Sequence, residues 1–469
     1  MIMSQNNSPH TEDILLQGAK SYLSVSDDIS AIVEAKTSRT WWLCMGVSLA
    51  FLAWGGYCMY LTLTEGIGVW GLNKTVGWAW DITNFVWWIG IGHAGTLISA
   101  VLLLFRQKWR LAINRSAEAM TIFAVLQASI FPIIHMGRPW KVFWNIPYPN
   151  TMGSLWVNLN SPLLWDVLAI STYLSVSLVF WWIGLLPDFA MLRDKVKSKY
   201  KQKLYALMSF GWVGTAKNWQ RFEEVSLTLA GLATALVVSV HTIVSFDFVT
   251  SVVPGWHTTI FPPYFVAGAI FSGFAMVNVL LILTRKACRL ESYITPYHFD
   301  KMNLVMLVTS CIIGVAYLSE LFMAWYSGNP AEQYAFLNRI AGPYAWGYWI
   351  MISCNVILPQ VLWSKKIRYN LWATFIISIF INVGMWFERF VIIVTSLHRD
   401  NLPSSWTMFS PTYVDIGIFL GTIGFFFALF LLYARTFPLI AQAELKTVLK
   451  TSAESFAVAD PQNSTTDEH

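Results

Sequence analysis

The sequence predicts an all-α integral membrane protein with about ten transmembrane helices. Of its 469 residues, 56% are hydrophobic and only 12% are charged, whereas soluble domains carry roughly 25% charged residues. A chain of this composition cannot cover a globular surface with polar groups, so lipid is its solvent. Ten segments are long and apolar enough to cross a hydrocarbon core of about 30 Å. They are residues 40–62, 82–105, 117–136, 162–186, 224–247, 259–284, 301–327, 341–364, 369–392 and 413–436.

The basic residues between these segments fall mainly on one side of the predicted membrane. One set of loops contains Arg106, Lys108, Arg110, Arg115, the lysine-rich run 193–203, Arg285, Lys286, Arg289, Lys365, Lys366 and Arg368. The alternate loops contain only Lys74, Arg138, Lys141, Arg339 and Arg399. Because cytoplasmic loops collect Lys and Arg, both termini are predicted to be cytoplasmic. The net charge of +5 therefore reflects membrane topology and gives no indication of nucleic-acid binding.

The chain ends and a weak internal repeat complete the predicted organisation. Residues 1–39 are polar and are expected to be a cytoplasmic segment rather than a signal peptide. Within them, DILLQGAKSYLSV predicts either an interfacial amphipathic helix or a disordered tail, and residues 437–469 are expected to form a cytoplasmic tail. GHAGTLISAVLLLFRQKWR in the second span resembles IFSGFAMVNVLLILTRKACR in the sixth. This similarity predicts two four-helix bundles, 82–247 and 259–392, flanked by helices 40–62 and 413–436.

The cysteines and histidines argue against a redox cofactor bound by this chain. Cysteine occurs singly, without CxxC, CxxCH or cluster spacing, at Cys44, Cys58, Cys288, Cys311 and Cys354. That pattern disfavours an iron–sulfur cluster, a c-type haem and structural zinc. A b-type haem needs two histidines that face each other, and His93, His135 and His241 are predicted to lie at different depths. We therefore expect no haem, cluster or metal site here.

Three ionisable residues are predicted to converge near the outer face of the first bundle. His135 ends the third span in FPIIHMGRPW, Asp166 begins the fourth in SPLLWDVLAI, and Asp247 ends the fifth. An ionisable group within a span suggests function, although each of these could instead anchor a helix end at the interface. Their chemistry fits quinol oxidation. A neutral imidazole can accept one proton, and a carboxylate can bind the other hydroxyl or pass its proton onward.

Further polar residues lie deeper in the predicted spans. His93, in the middle of VWWIGIGHAGTLISAVLLLF, and His241 either extend a polar path to the outer face or act as structural contacts between helices. The second bundle adds Glu320, Glu388, Arg389 and Asp415. Adjacent residues do not face each other along a helix. Arg389 is therefore predicted to pair with Glu320 or Asp415, which we favour over a second proton route.

Several long motifs resemble the NrfD/PsrC family of membrane quinone subunits. They are GHAGTLISA, RQKWR, INRSAEAMTIFAV, FPIIHMGRPW and WHTTIFPPYFVAGAIFSG, and the resemblance covers roughly residues 35–450. The motifs are most similar to ActC-type subunits of bacterial alternative complex III; the ActF-type subunits share that fold. The resemblance implies ten helices and a menaquinol site near the outer face, with His135, Asp166 and Asp247 at the family's site positions. It also implies a location in the bacterial inner membrane, surrounded by lipid.

The same resemblance implies partners. These are subunits that carry haem c and iron–sulfur clusters, a second NrfD-like subunit and, in many complexes, a haem–copper oxidase.

The residues themselves leave two classes of function open. One is a quinol-oxidising subunit of a respiratory complex, with or without proton translocation. The other is a transporter or a structural membrane anchor that uses the buried polar residues for substrate or assembly.

Overall fold

The computed structural model describes residues 15–18, 20–146 and 161–449, and all regular secondary structure in these ranges is helical. Ten helices are long and apolar enough to cross a membrane, which confirms the predicted number of spans. We number them α1 (Arg39–Glu65), α2 (Trp80–Leu104), α3 (Asn114–His135), α4 (Pro162–Lys195), α5 (Ala216–Val249), α6 (Phe261–Ala287), α7 (Pro296–Tyr326), α8 (Ala345–Trp363), α9 (Leu371–Leu397) and α10 (Tyr413–Thr436).

Connections between successive spans alternate between two faces. We call the face with the loop after α1 the outer face and the opposite one the inner face, following the distribution of basic residues. Which face is cytoplasmic stays a prediction. Residues 1–14 and 450–469 of the two predicted terminal segments lie outside the described residues.

The two most buried spans, α2 and α6, pack against each other at the centre of the molecule. Around them, α3 and α5 pack against α2, and α4 packs against α3 and α5. Helices α7, α8 and α9 adjoin α6 or one another, and α1 pairs with α10. Both glycines of the internal repeat lie at close helix contacts: Gly95 faces Ala117 of α3, and Gly273 faces Ala94 of α2. Small residues at such positions allow helix backbones to approach closely in a membrane.

Two spans depart from regular α-helix. In α2 a π-helical turn occupies Leu97–Val101, four residues after His93. In α8 a second π-helical turn occupies Ser353–Ile357 and a 3-10 segment follows it, Leu358–Trp363. π-Turns within helices occur frequently at functional sites because they re-aim the neighbouring side chains.

The polar N-terminal segment contains a helix, Tyr22–Glu34, with Ser21 as its N-cap. Its buried face includes Val25, Ile29 and Val33, and it packs against α4, α10 and the turn Gln442–Leu445. The helix shares only residues 22–25 with the stretch DILLQGAKSYLSV, for which an interfacial helix was one of the two predicted alternatives, and its location at a membrane interface stays a prediction. It lies against the inner ends of the spans.

Candidate functional site

At the outer face, His135 pairs with an aspartate that the sequence analysis did not single out. His135 ends α3, and its Nδ1 bonds to Oδ2 of Asp81 in the first turn of α2. Oδ1 of Asp81 accepts the backbone N–H of Ala79 at 3.0 Å, so the carboxylate is fixed at the helix start. Because Asp81 holds Nδ1, it orients the imidazole. No described residue bonds to Nε2 of His135.

Asp81 was missed because the predicted span began at residue 82. The signal in the sequence was the pair Trp80–Asp81, an acidic residue directly before an apolar run. Such a residue is usually an N-terminal helix cap, since carboxylates stabilise the positive end of a helix. Here it caps the helix and also holds the histidine.

Aromatic rings surround His135 and connect it to the end of α5. Trp70 and Trp78 lie 6.3 and 6.4 Å from the imidazole, measured between ring centroids. Trp78 also stacks on Trp256 at 5.9 Å and meets the edge of Phe248 at 6.2 Å. Phe248 follows Asp247 in the chain. One indole therefore contacts the surroundings of both His135 and Asp247.

Asp166 and Asp247 form a buried carboxyl pair. Their carboxyl groups adjoin each other, and the two residues are 4% and 9% exposed. Two neighbouring buried carboxylates repel each other when both are ionised, which favours a state in which the pair holds a proton. Among the described residues, Oδ1 of each carboxyl group has no hydrogen-bond partner. The structure thus brings the two aspartates together, while no hydrogen bond or ion pair among the described residues joins either one to His135.

Deeper in the membrane, His93 and His241 face each other. Nε2 of His93 lies 3.1 Å from Nδ1 of His241, and the ring centroids are 4.0 Å apart. The prediction that these two histidines lie at different depths is therefore wrong. His93 lies thirteen residues from the start of α2 and His241 eight residues from the end of α5, so equal depth does not correspond to equal residue counts from the helix ends. The absence of a b-type haem stays a prediction, but a difference in depth between the two histidines no longer supports it.

The hydrogen bonds of the histidine pair assign its tautomers. Nδ1 of His93 contacts the carbonyl of Ile89 at 2.8 Å, so in a neutral ring Nδ1 carries the proton and Nε2 accepts. His241 must then donate from Nδ1, and its own Nε2 is an acceptor. That Nε2 is buried and has no hydrogen-bond partner among the described residues. A buried imidazole nitrogen with a free lone pair can take up a proton.

A tyrosine that the sequence analysis did not single out supports this pair. The ring of Tyr173, on α4, stacks on His93 with centroids 5.1 Å apart. Its hydroxyl donates to the Gly92 carbonyl at 3.0 Å and bonds to Thr96 at 2.7 Å. These contacts hold the helix backbone immediately before the π-turn.

In the second half of the chain, Arg389 pairs with its neighbour Glu388, at 2.7 Å between Nη1 and Oε1. The predicted pairing of Arg389 with Glu320 or Asp415 is therefore wrong. A long arginine side chain can fold back, and its guanidinium lies over the ring of Phe265, 4.2 Å from the centroid. Glu388 also accepts hydrogen bonds from Tyr317 and, at 3.4 Å, from Asn355.

The two acids expected to pair with Arg389 have other surroundings. Asp415 caps α10 through Thr412 and accepts the backbone N–H of Gly71 at 2.9 Å, which fixes the loop after α1. Glu320 lines a small cavity with Arg339 and Tyr264, and its Oε1 has no hydrogen-bond partner in the described part of the chain.

A charged cluster at the inner face was also missed. Arg115 contacts Glu118 at 3.0 Å, Asp188 at 3.2 Å and Glu444 at 3.5 Å, and Arg110 contacts Glu444 at 2.5 Å. Both arginines were counted only as topology signals. The spacing Arg115–Glu118 on one helix was the available indication, because residues three apart share a face. Among the described residues, no group of three or more His, Cys, Asp or Glu side chains is arranged to hold a metal ion.

Comparisons with known proteins agree with this architecture. The family model described as "Polysulphide reductase, NrfD" matches residues 68–399, which is more than half of the chain. The "Hdr-like menaquinol oxidoreductase integral membrane subunit" of Archaeoglobus fulgidus is 21% identical over 416 residues, 84% of this chain and 93% of that protein. The "Menaquinone reductase, integral membrane subunit" of Nitratidesulfovibrio vulgaris is 22% identical over 418 residues, which are 86% of this chain and 92% of that protein.

A third relative is a membrane subunit of a putative dimethyl sulfoxide reductase from Halobacterium salinarum. It is 20% identical over 407 residues, 77% of this chain and 86% of that protein. The family match covers the spans that carry His135, Asp166 and Asp247 as well as both polar clusters within the membrane. With ten helical spans and a family model matched over most of its length, the chain belongs to the NrfD family of integral membrane proteins.

Proposed function

We propose that this chain is the menaquinol-oxidising membrane subunit of a respiratory electron-transfer complex. The observation that carries the proposal is the pair of acid–base groups at the outer face. One is the His135–Asp81 pair, whose Nε2 bonds to none of the described residues; the other is the Asp166–Asp247 carboxyl pair. Trp78 contacts the surroundings of both. Two of the relatives are named for menaquinol or menaquinone, which supports the choice of substrate.

Quinol oxidation releases two protons and two electrons, and the four residues can take both protons. Nε2 of His135 accepts one hydroxyl proton, while Asp81 holds the ring and stabilises the imidazolium that forms. The carboxyl pair binds the second hydroxyl and accepts its proton, because it holds one proton and has room for another. The two electrons pass to partner subunits, and the quinone leaves.

We further propose that the deeper polar residues serve proton movement. Among the described residues, Nε2 of His241 has no hydrogen-bond partner and is an acceptor next to His93. Glu320, Glu388 and Arg389 supply buried ionisable groups in the second half of the chain, and no described residue bonds to Oε1 of Glu320. Asp415 is held by two backbone amides and a threonine, so we assign it to anchoring instead of proton movement.

The assembly we propose is alternative complex III in a bacterial inner membrane. The ActC-like motifs support it, and all three relatives described above are named as membrane subunits. Partner subunits with haem c and iron–sulfur clusters would then receive the electrons. A second NrfD-like subunit and a haem–copper oxidase complete this proposal.

The decisive experiment is quinol-driven electron transfer by the purified complex with His135→Ala. A positioned proton acceptor contributes typically about 10²–10⁴-fold to a rate, so we expect a loss of that size in an assembled complex. His257→Ala is the matched control, because His257 is an exposed histidine at the same face that pairs with Glu332 at 3.2 Å. Near wild-type turnover in the assembled His135→Ala complex would contradict the site.

Asp81→Asn is the second variant. Its side-chain oxygen can still accept from Ala79, but its amide would donate to Nδ1 of His135 and move the ring proton to Nε2. That nitrogen could then no longer accept a proton from the quinol. We expect turnover to fall while an inhibitor still binds; equal losses of turnover and inhibitor binding would indicate a packing defect.

A further inference from the structure

A large cleft opens at the inner face, where the N-terminal helix meets the spans. Its volume is about 1320 Å³, and it lies between helix Tyr22–Glu34, the start of α1 and the inner ends of α6 and α10. The wall that runs into the membrane is apolar and includes Val47, Leu280, Leu283, Phe427 and Phe430. From Leu280 to Arg289 the wall extends roughly 14 Å along α6 and its end, at about 1.5 Å per residue.

The rim of this cleft carries an excess of positive charge. Among the described residues that line it, Asp28 is the only acidic one, and it bonds to Lys20 at 2.7 Å and to the Tyr293 hydroxyl at 2.6 Å. Burial acts to raise the pKa of Asp28, but those two hydrogen bonds outweigh it and lower the pKa below its usual value. Asp28 is therefore ionised and neutralises Lys20.

Three cations on the rim have no acidic partner among the described residues. Lys36 and Arg289 are exposed and form no ion pair. Arg435 donates from Nη1 to the carbonyl of Ile32 at 2.5 Å, which leaves the rest of its guanidinium available to the cleft. A bound anion is the simplest way to compensate these charges.

The backbone at Arg289 supports a role for its side chain. Its φ is +54°, and it lies two residues beyond the end of α6, where a left-handed residue is usually glycine. A non-glycine residue in this conformation carries a backbone cost, and such costs are found preferentially at functional positions. The conformation places an arginine, which binds phosphate well, at the rim.

We propose that this cleft binds an anionic phospholipid, with its phosphate at Lys36, Arg289 and Arg435 and its acyl chains along the apolar wall. Basic pockets between transmembrane helices at the cytoplasmic face bind such head groups. Free phosphate would use only the rim. The apolar wall, which continues from the rim into the depth of the membrane, selects a molecule that combines an anion with hydrocarbon chains.

The test uses the complete complex, stripped of lipid with detergent and reconstituted with phosphatidylglycerol, phosphatidylcholine or inorganic phosphate. We expect phosphatidylglycerol to be retained and to raise the melting temperature, whereas phosphatidylcholine and phosphate do not. The variant Lys36→Gln/Arg289→Asn removes two exposed charges, and asparagine tolerates the left-handed backbone. It should bind phosphatidylglycerol about 30-fold more weakly, from roughly fivefold per cation.

The matched control is Lys199→Gln/Lys203→Gln, which removes two exposed charges from the same face outside the cleft. It should bind phosphatidylglycerol like the wild type. Equal binding by both double variants would overturn the proposal, and so would a helix of a partner protein cross-linked into the cleft through Cys44. If the first double variant fails to assemble, the wild-type comparison of the two lipids still decides, since equal stabilisation by both rules out selection of the anion. Turnover of His135→Ala is measured separately, so either proposal can fail alone.

Discussion

Glu388 and Arg389 are adjacent residues of opposite charge inside the membrane, and the structure shows each as the other's ion-pair partner. Arg389→Ala would leave the carboxylate of Glu388 buried without its cation. Removal of one partner of a buried pair costs about 3–5 kcal/mol. We therefore expect less assembled complex and a lower melting temperature, measured on membranes from matched expression cultures.

The double variant Glu388→Gln/Arg389→Ala provides the control for this prediction. It removes both charges, and the glutamine amide can still bond to Tyr317 and Asn355. The double variant should regain most of the assembled complex that is lost in Arg389→Ala. If the double variant assembles no better than the single one, Arg389 contributes mainly through its contact with Phe265.

Individual site residues were predictable where a helix end fixed their position. His135, Asp166 and Asp247 each lie within a few residues of a span boundary, so topology alone placed them at one face. Asp81 was missed because the span predicted from hydropathy began at residue 82, one residue after it. The His93–His241 contact could not be predicted, since it depends on how far α2 and α5 are shifted relative to each other. The Arg389–Glu388 pair depends on a side-chain conformation, which sequence spacing does not specify.

At the scale of helices, the contact between α1 and α10 depends on one glycine more than on its neighbour. A Cβ on Gly55 would lie 2.5 Å from Cα of Gly421, whereas a Cβ on Gly56 would meet nothing within 4 Å. Gly55→Val should separate the two helices and lower assembly, because backbone atoms cannot move aside as a flexible side chain would. Gly56→Val is the matched control and should assemble normally. Equal assembly yields for the two variants, measured by gel filtration, would contradict this packing.

Hydropathy predicted the apolar core of every span but not the full helices. Helices α4 and α5 each have 34 residues, several more than the predicted segments, because they continue past the hydrocarbon into polar sequence. The π-turns in α2 and α8 were not predicted either. Over five residues, a π-turn leaves no sequence periodicity that can be distinguished from that of an α-helix.

At the scale of the whole molecule, we expect the isolated chain to show no haem absorbance, while its complex does. Cysteines that occur singly, without CxxCH, disfavour c-type attachment to this chain, and the nitrogens of His93 and His241 that face each other are already hydrogen-bonded. The measurement is a reduced-minus-oxidised absorption spectrum before and after removal of the other subunits. A b-type band that survives and disappears in His241→Ala would show that the histidine pair binds haem.

The position of the histidine pair has an electrical consequence. His93 lies thirteen residues from the outer end of α2, which is roughly 20 Å along the helix at about 1.5 Å per residue. A proton that reaches the pair from either face has therefore crossed about half of the transmembrane voltage. A full crossing is worth about 2.3 kcal/mol per elementary charge at 100 mV. Half a crossing is therefore worth about 1.15 kcal/mol, so a change of 100 mV in membrane voltage alters the proton affinity of this site about sevenfold. Any protonation of these two rings is thus coupled to the energised state of the membrane itself.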